Sequence, residues 1–110
     1  MTDWEEKLQK EFERAESARA RGNEGQARVC ARRAAGIAIR EYYARRGQSI
    51  RTPNAYDLLQ LLAGEQHLSP ELKQAATYLT LRVNEAFKLP IDVDLLEEAR
   101  RLCDGLSSTT

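Results

Sequence analysis

Apolar residues recur every three or four positions along most of the chain, which is the spacing of amphipathic α-helices. The first run, through Trp4, Leu8 and Phe12, predicts a helix over residues 3–21. Four later runs predict helices over residues 24–46, 53–64, 70–87 and 93–104. We find no alternating apolar and polar pattern typical of strands. The chain is therefore predicted to be an all-α domain of about five helices.

Residues that favour helix starts and stops separate these runs. Asn23, Thr52 and Ser69 are expected to be N-caps, and proline follows the last two at the first helical position. Asp92 is expected to cap the last helix, which Gly105 should end.

The length of 110 residues suits one domain. We assign residues 1–106 to a single helical domain. The polar tail, residues 107–110, is expected to be disordered.

The second predicted helix carries apolar residues on two faces. One face combines alanines with Cys30 and Ile37, and the other is formed by Val29, Gly36, Ile39 and Tyr43. A helix that is apolar on two sides packs against neighbours on both. Residues 24–46 are therefore expected to form the central helix of the core.

Positive and negative charges balance overall but are unevenly distributed. Residues 14–51 carry ten arginines against three glutamates, whereas the segments before and after are acidic. Guanidinium groups bind phosphate bidentately and stay charged at cellular pH. Four arginines of the second helix are therefore candidate anion ligands: Arg28, Arg32, Arg33 and Arg40. The alternative is that they pair with nearby carboxylates or face water.

Other chemistry is poorly represented. Cys30 and Cys103 fall at apolar helical positions and are expected to be reduced core residues. His67 is the only histidine, and its place between two helices predicts a solvated side chain. No metal site or cofactor is expected, because the chain offers too few ligands and no glycine-rich phosphate loop. The acidic start and the lack of a long apolar run predict a cytoplasmic protein without a membrane span.

Several segments together resemble a known family. The stretch 24–35 is followed by Tyr42-Tyr43, Arg46-Gly47 and then the segment 56–62, with the sequence YDLLQLL. This order is similar to that of HEPN domains (higher eukaryotes and prokaryotes nucleotide-binding), and residues 79–90 are similar to the end of that family's third long helix. The resemblance covers about residues 5–104.

The resemblance implies an up-and-down helical bundle that forms a homodimer. It also implies a nucleotide or RNA as ligand and a minimal nucleotidyltransferase as partner, in a toxin–antitoxin setting. Many HEPN domains cleave RNA through an Arg-x4–6-His motif. Here Arg82 stands at the arginine, no histidine follows it, and Tyr56 occupies the usual histidine position of the "HDLL" segment. General acid–base cleavage by that route is therefore not expected, and binding is the inferred role.

Two other readings remain open. A tetratricopeptide-like interaction module would show a break in the second helix near residue 38, whereas an HEPN-like bundle would keep it continuous. An enzyme of another class, using Arg82 with Asn84 or a carboxylate, ranks last. The candidate residues taken forward are Arg28, Arg32, Arg33, Arg40 and Arg82, with Asn84 as part of the degenerate motif.

Overall fold

Five α-helices account for most of the residues that the structure describes. The computed structural model describes residues 2–83 and 88–108. Its helices are α1 (Asp3–Ala20), α2 (Glu24–Arg45), α3 (Ala55–Ala63), α4 (Pro70–Leu79) and α5 (Leu95–Ser108). No strand occurs in these ranges, which confirms the all-α class and the number of helices. Within the same residues, none of the helices combines the length and apolar character needed to cross a membrane.

The bounds of α1 and α2 agree with the sequence pattern. Thr2 and Glu5 form a reciprocal capping box at the start of α1. Asn23 caps α2 by accepting a hydrogen bond from the Gln26 backbone N–H at 3.1 Å. Gly22 lies between the two helices with φ +77°, a conformation that side chains with a Cβ rarely adopt. These local signals let the chain reverse direction within three residues.

Helix α2 is the central helix. It contacts α1, α3 and α5, and it is unbroken from Glu24 to Arg45. Gly36, Ile39 and Tyr43 are buried, which confirms the second apolar face, although Val29 is 36% exposed. Alanines on α2 allow close packing because their side chains are short. The fully buried alanines of α2 are Ala27, Ala31, Ala34 and Ala35.

Both cysteines are part of this core. Cys30 and Cys103 are buried and free, as the sequence predicted. Burial raises the pKa of the Cys103 thiol to about 12, so this side chain is uncharged at neutral pH.

Helix α3 begins later than predicted. Its N-cap is Asn54, whose side chain accepts from the Tyr56 N–H at 2.9 Å, rather than Thr52. The Thr52 hydroxyl instead accepts from the Asn54 N–H and donates to Asp57. Gly64 ends the helix as expected.

Helix α4 begins at Ser69–Pro70 as predicted but ends at Leu79, not at residue 87. Arg32 explains the early end: its Nε donates to the Leu79 carbonyl at 2.9 Å and its Nη2 to the Leu81 carbonyl at 2.6 Å. A helix leaves its last carbonyls without intrahelical partners, and this side chain supplies a donor to the carbonyl of Leu79. Val83, which the predicted helix would have included, lies beyond the end of α4 and is 41% exposed.

Helix α5 is displaced relative to its prediction. Its N-cap is Asp94 rather than Asp92, and it continues through Gly105 to Ser108. Ser107 and Ser108 are therefore helical, and the expected disordered tail does not begin at residue 107. Gly105 stays inside the helix because its missing Cβ makes room for the Leu72 side chain of α4.

Asp94 also connects the start of α5 to the end of α1. It accepts hydrogen bonds from the backbone N–H groups of Leu96 and Glu97, and its carboxylate pairs with Arg19 of α1 at 2.9 Å. The Arg19 hydrogen bond is the main cause that lowers the Asp94 pKa.

We expect Asp94→Ala to reduce the free energy of unfolding by about 1 kcal/mol, the usual loss for an N-cap. Asp94→Asn keeps the cap and loses only the half-exposed ion pair, so its loss should be a few tenths of a kcal/mol. A carboxylate with a lowered folded pKa stabilises above the ordinary aspartate pKa and loses that effect in acid. Urea unfolding should therefore show a gap between wild type and Asp94→Asn that is constant from pH 7 to about pH 5 and narrows as the pH falls below the ordinary aspartate pKa. A gap that does not narrow in acid would contradict this assignment.

A cationic cleft between α1, α2 and α3

Helix geometry divides the candidate arginines into two groups. At about 100° per residue, Arg33 and Arg40 lie about 20° apart around α2, whereas Arg28 and Arg32 occupy a different side. Gly36 lies between the two groups and faces the first turn of α3, where a Cβ added to it would be 3.5 Å from the Ala55 Cβ. The start of α3 therefore separates the two arginine groups.

Arg33 and Arg40 line a cleft of about 440 Å³. Its cationic residues come from two helices: Lys7, Lys10 and Arg14 from α1, and Arg33 and Arg40 from α2. Apolar groups contributed by Gly36, Ile37, Pro53, Ala55 and Leu58 form another part of its lining. The cleft thus places positive charge beside an apolar surface.

Most of these cations lack a carboxylate partner. Within residues 2–83 and 88–108, no salt bridge joins Lys7, Lys10, Arg33 or Arg40 to an acidic group. Arg40 is oriented by a 2.9 Å hydrogen bond from its Nη2 to the Thr52 carbonyl. This carbonyl is uncharged and does not neutralise the guanidinium. The cleft therefore keeps an excess of positive charge available to a ligand.

Among the residues that the structure describes, Glu11 is the single acidic one that lines the cleft. It is only 6% exposed, and its Oε1 accepts from Arg14 Nη1 at 2.6 Å. Its Oε2 is buried without a hydrogen-bond partner among the described residues. A buried carboxylate needs neighbouring positive charge, so Glu11 acts as an internal counter-ion that offsets part of the cationic charge.

The other arginines surround Tyr56. The Arg82 guanidinium lies 4.3 Å from the Tyr56 ring centroid and that of Arg32 lies 5.3 Å from it. Burial, and to a smaller extent the charges of Arg28 and Arg82, lower the pKa of Arg32. Arg28, Arg32 and Arg82 are thus brought together, apart from Arg33 and Arg40. Asn84, the other residue of the degenerate motif, lies outside the described residues.

The candidate residues predicted from the sequence did not include the three basic residues that α1 contributes to the cleft. Lys7, Lys10, Glu11 and Arg14 follow the i, i+3, i+4, i+7 spacing of one helical face, which was visible in principle. The net charge of residues 1–13 is negative, so a segment-by-segment charge balance does not show this basic face. Acidic residues on the other faces of α1 outweighed this basic stripe.

His67 has a structural partner. Its side chain is half exposed, as predicted, and its Nε2 lies 2.9 Å from the Tyr42 hydroxyl. The neighbouring Tyr43 hydroxyl donates to Glu65 at 2.8 Å. These contacts join the end of α2 to the α3–α4 connection. They also give hydrogen-bond partners to the hydroxyl groups of two tyrosines whose rings are buried.

Comparison with protein-family models, curated proteins and solved structures finds no match for this chain. Across residues 2–83 and 88–108 there is also no group of three or more His, Cys, Asp or Glu side chains able to hold a metal ion. The fold and the site together define an all-α protein with a cationic cleft. Its function must be assigned from that cleft.

Proposed function

We propose that this protein binds a phosphate-bearing ligand, a nucleotide or RNA, in the cationic cleft. The observation that carries this proposal is the convergence of five basic side chains from two helices around one buried carboxylate. Lysine and arginine converging in a concave site attract anions, and low-dielectric walls strengthen that attraction. Charges that merely solubilise a surface need not line a common cleft.

The remaining lining supports a nucleotide more than a bare anion. A volume of about 440 Å³ lies within the usual range of small-molecule sites. Ile37, Pro53 and Ala55 provide an apolar surface beside the cations, suited to a flat base. Arg33 and Arg40 are suited to the phosphate, because a guanidinium matches its oxygens with paired donors.

The cleft favours binding over catalysis. General acid–base cleavage of RNA requires a group that accepts and donates a proton at the reacting atoms. No imidazole lines the cleft, because the only histidine, His67, lies outside it and contacts Tyr42. Glu11 is engaged by Arg14. A non-catalytic role is therefore the proposal.

The unbroken α2 supports an HEPN-like bundle over a tetratricopeptide-like module, for which a break near residue 38 was expected. Following that resemblance, we propose a homodimer that works beside a minimal nucleotidyltransferase in a toxin–antitoxin setting. Sedimentation of the isolated protein tests the dimer, since a monomer at high concentration would reject it.

Titration of fluorescently labelled single-stranded RNA and a labelled nucleotide tests the ligand. If four cations contact phosphates, RNA affinity should fall about 50-fold between about 50 and 200 mM salt, since each contact releases counterions. A peptide nucleic acid of the same sequence, which lacks backbone charge, is the matched control and should bind weakly at both salt concentrations. Failure of both anionic probes to bind at low salt would reject the proposal.

A further inference from the structure

The arginines around Tyr56 form a cluster that the cleft does not use. Arg82 stacks on the ring at 4.3 Å, Arg32 lies 5.3 Å from the same centroid, and Arg28 is one turn before Arg32 on α2. In the described part of the chain, no salt bridge joins any of the three to a carboxylate. Within the described residues, the three cations are therefore held together without an ion-paired carboxylate.

Arg32 is the fixed member of this cluster. Its Nε and Nη2 are engaged by the Leu79 and Leu81 carbonyls, which leaves Nη1 for a ligand. Burial and the nearby charges of Arg28 and Arg82 lower its pKa, although an arginine remains protonated at cellular pH. A dianion placed among the three would relieve this mutual repulsion.

We infer that Arg28, Arg32 and Arg82 form a second anion site that holds the 5′-terminal phosphate of a bound RNA strand. A terminal phosphate carries close to two negative charges at neutral pH, whereas each internal phosphodiester carries one. Three guanidinium groups match the terminal phosphate in charge and in hydrogen-bond donors.

The position of the cluster connects it to the cleft. Ala55 lines the cleft, and the next residue, Tyr56, carries the stacked guanidinium groups. The two sites therefore flank the first turn of α3, on neighbouring sides of α2. A strand whose internal phosphates lie in the cleft can place its end in the cluster. The inference thus rests on the proposed function and extends it to recognition of the strand's end.

Two RNA oligonucleotides of one sequence, with a 5′-phosphate or a 5′-hydroxyl, test this site. We expect wild-type protein to bind the phosphorylated strand at least about tenfold more tightly, the effect of one charge-assisted hydrogen bond. The double variant Arg28→Gln/Arg82→Gln should lose this preference while its affinity for the hydroxyl strand changes less than twofold. Arg32 is left in place because it supplies hydrogen bonds at the end of α4.

The variant Arg33→Gln/Arg40→Gln provides the contrast. It should weaken both strands equally and keep the preference for the 5′-phosphate. Equal binding of the two strands by wild type, or a preference that survives Arg28→Gln/Arg82→Gln, would overturn the inference and leave the cleft proposal standing. Tighter binding of a phosphoserine peptide than of the phosphorylated RNA would also overturn it. Failure of both strands to bind at low salt would instead reject RNA as the ligand of the cleft, and this inference with it.

Discussion

Replacing Arg33 or Arg40 by glutamine is expected to weaken binding of single-stranded RNA at least about tenfold for each substitution, because a charge-assisted hydrogen bond contributes about 1.5–3 kcal/mol. Both residues line the cleft, and neither pairs with a carboxylate among the described residues. Their loss therefore removes charge that a ligand would use. Fluorescence anisotropy at low salt measures the change.

Two further variants make this prediction specific to the cleft. Lys73→Gln removes one positive charge from α4, which contributes no residue to the cleft, and should change affinity less than twofold. Glu11→Gln removes the counter-ion and should strengthen RNA binding several-fold, because one repulsive charge disappears. If Arg33→Gln and Lys73→Gln had equal effects, or if Glu11→Gln weakened binding, the cleft would not be the phosphate site.

Gly105→Ala is expected to destabilise the protein by about 1–3 kcal/mol, the usual effect of overpacking a core. The added Cβ would overlap the Cδ2 methyl of Leu72, whose side chain is buried between α4 and α5. Thermal unfolding should show a lower midpoint, by about 4–8 °C for each kcal/mol. Leu72→Val should recover part of the loss when it is combined with Gly105→Ala, because it removes the atoms that clash.

Gly36→Ala is the matched control and should act in the opposite direction. Its Cβ would lie 3.5 Å from the Ala55 Cβ, an ordinary van der Waals contact, and alanine is favoured over glycine inside a helix by about 0.5–1 kcal/mol. We expect Gly36→Ala to raise the unfolding midpoint. The same sign of change for both variants would show that helix propensity, rather than packing against Leu72, governs Gly105.

Local signals were sufficient for α1 and α2. The capping residues Thr2 and Asn23 and the glycine turn at Gly22 act within a few positions, so the bounds of these helices agreed with the pattern. The buried faces were also predictable, since the spacing of Gly36, Ile39 and Tyr43 requires only a helical period. Prediction failed where a distant residue intervened. Arg32 bonds to carbonyls at the end of α4, 47 and 49 positions away.

For the candidate site too, nearby residues in the chain were informative and contacts between distant residues were not predictable. Residue types and helix spacing identified the arginines as possible phosphate ligands, and Arg33 and Arg40 do line the cleft. Helical spacing alone puts Arg33 and Arg40 on a different side of α2 from Arg28 and Arg32. The sequence could not show that α3 packs against Gly36 between the two groups, or that Arg82 lies beside Arg32 on the Tyr56 ring. It also could not join Lys7, Lys10 and Arg14 to them, because the cleft exists only where α1 lies beside α2.

The sequence by itself determined the helical class, the central position of α2 and the cationic character of its polar sides, because each depends on periodicity and local capping. The tertiary structure alone decided where α4 and α5 end and which cations share a surface. Those outcomes depend on contacts between residues far apart in the chain, and such contacts form only when the helices pack.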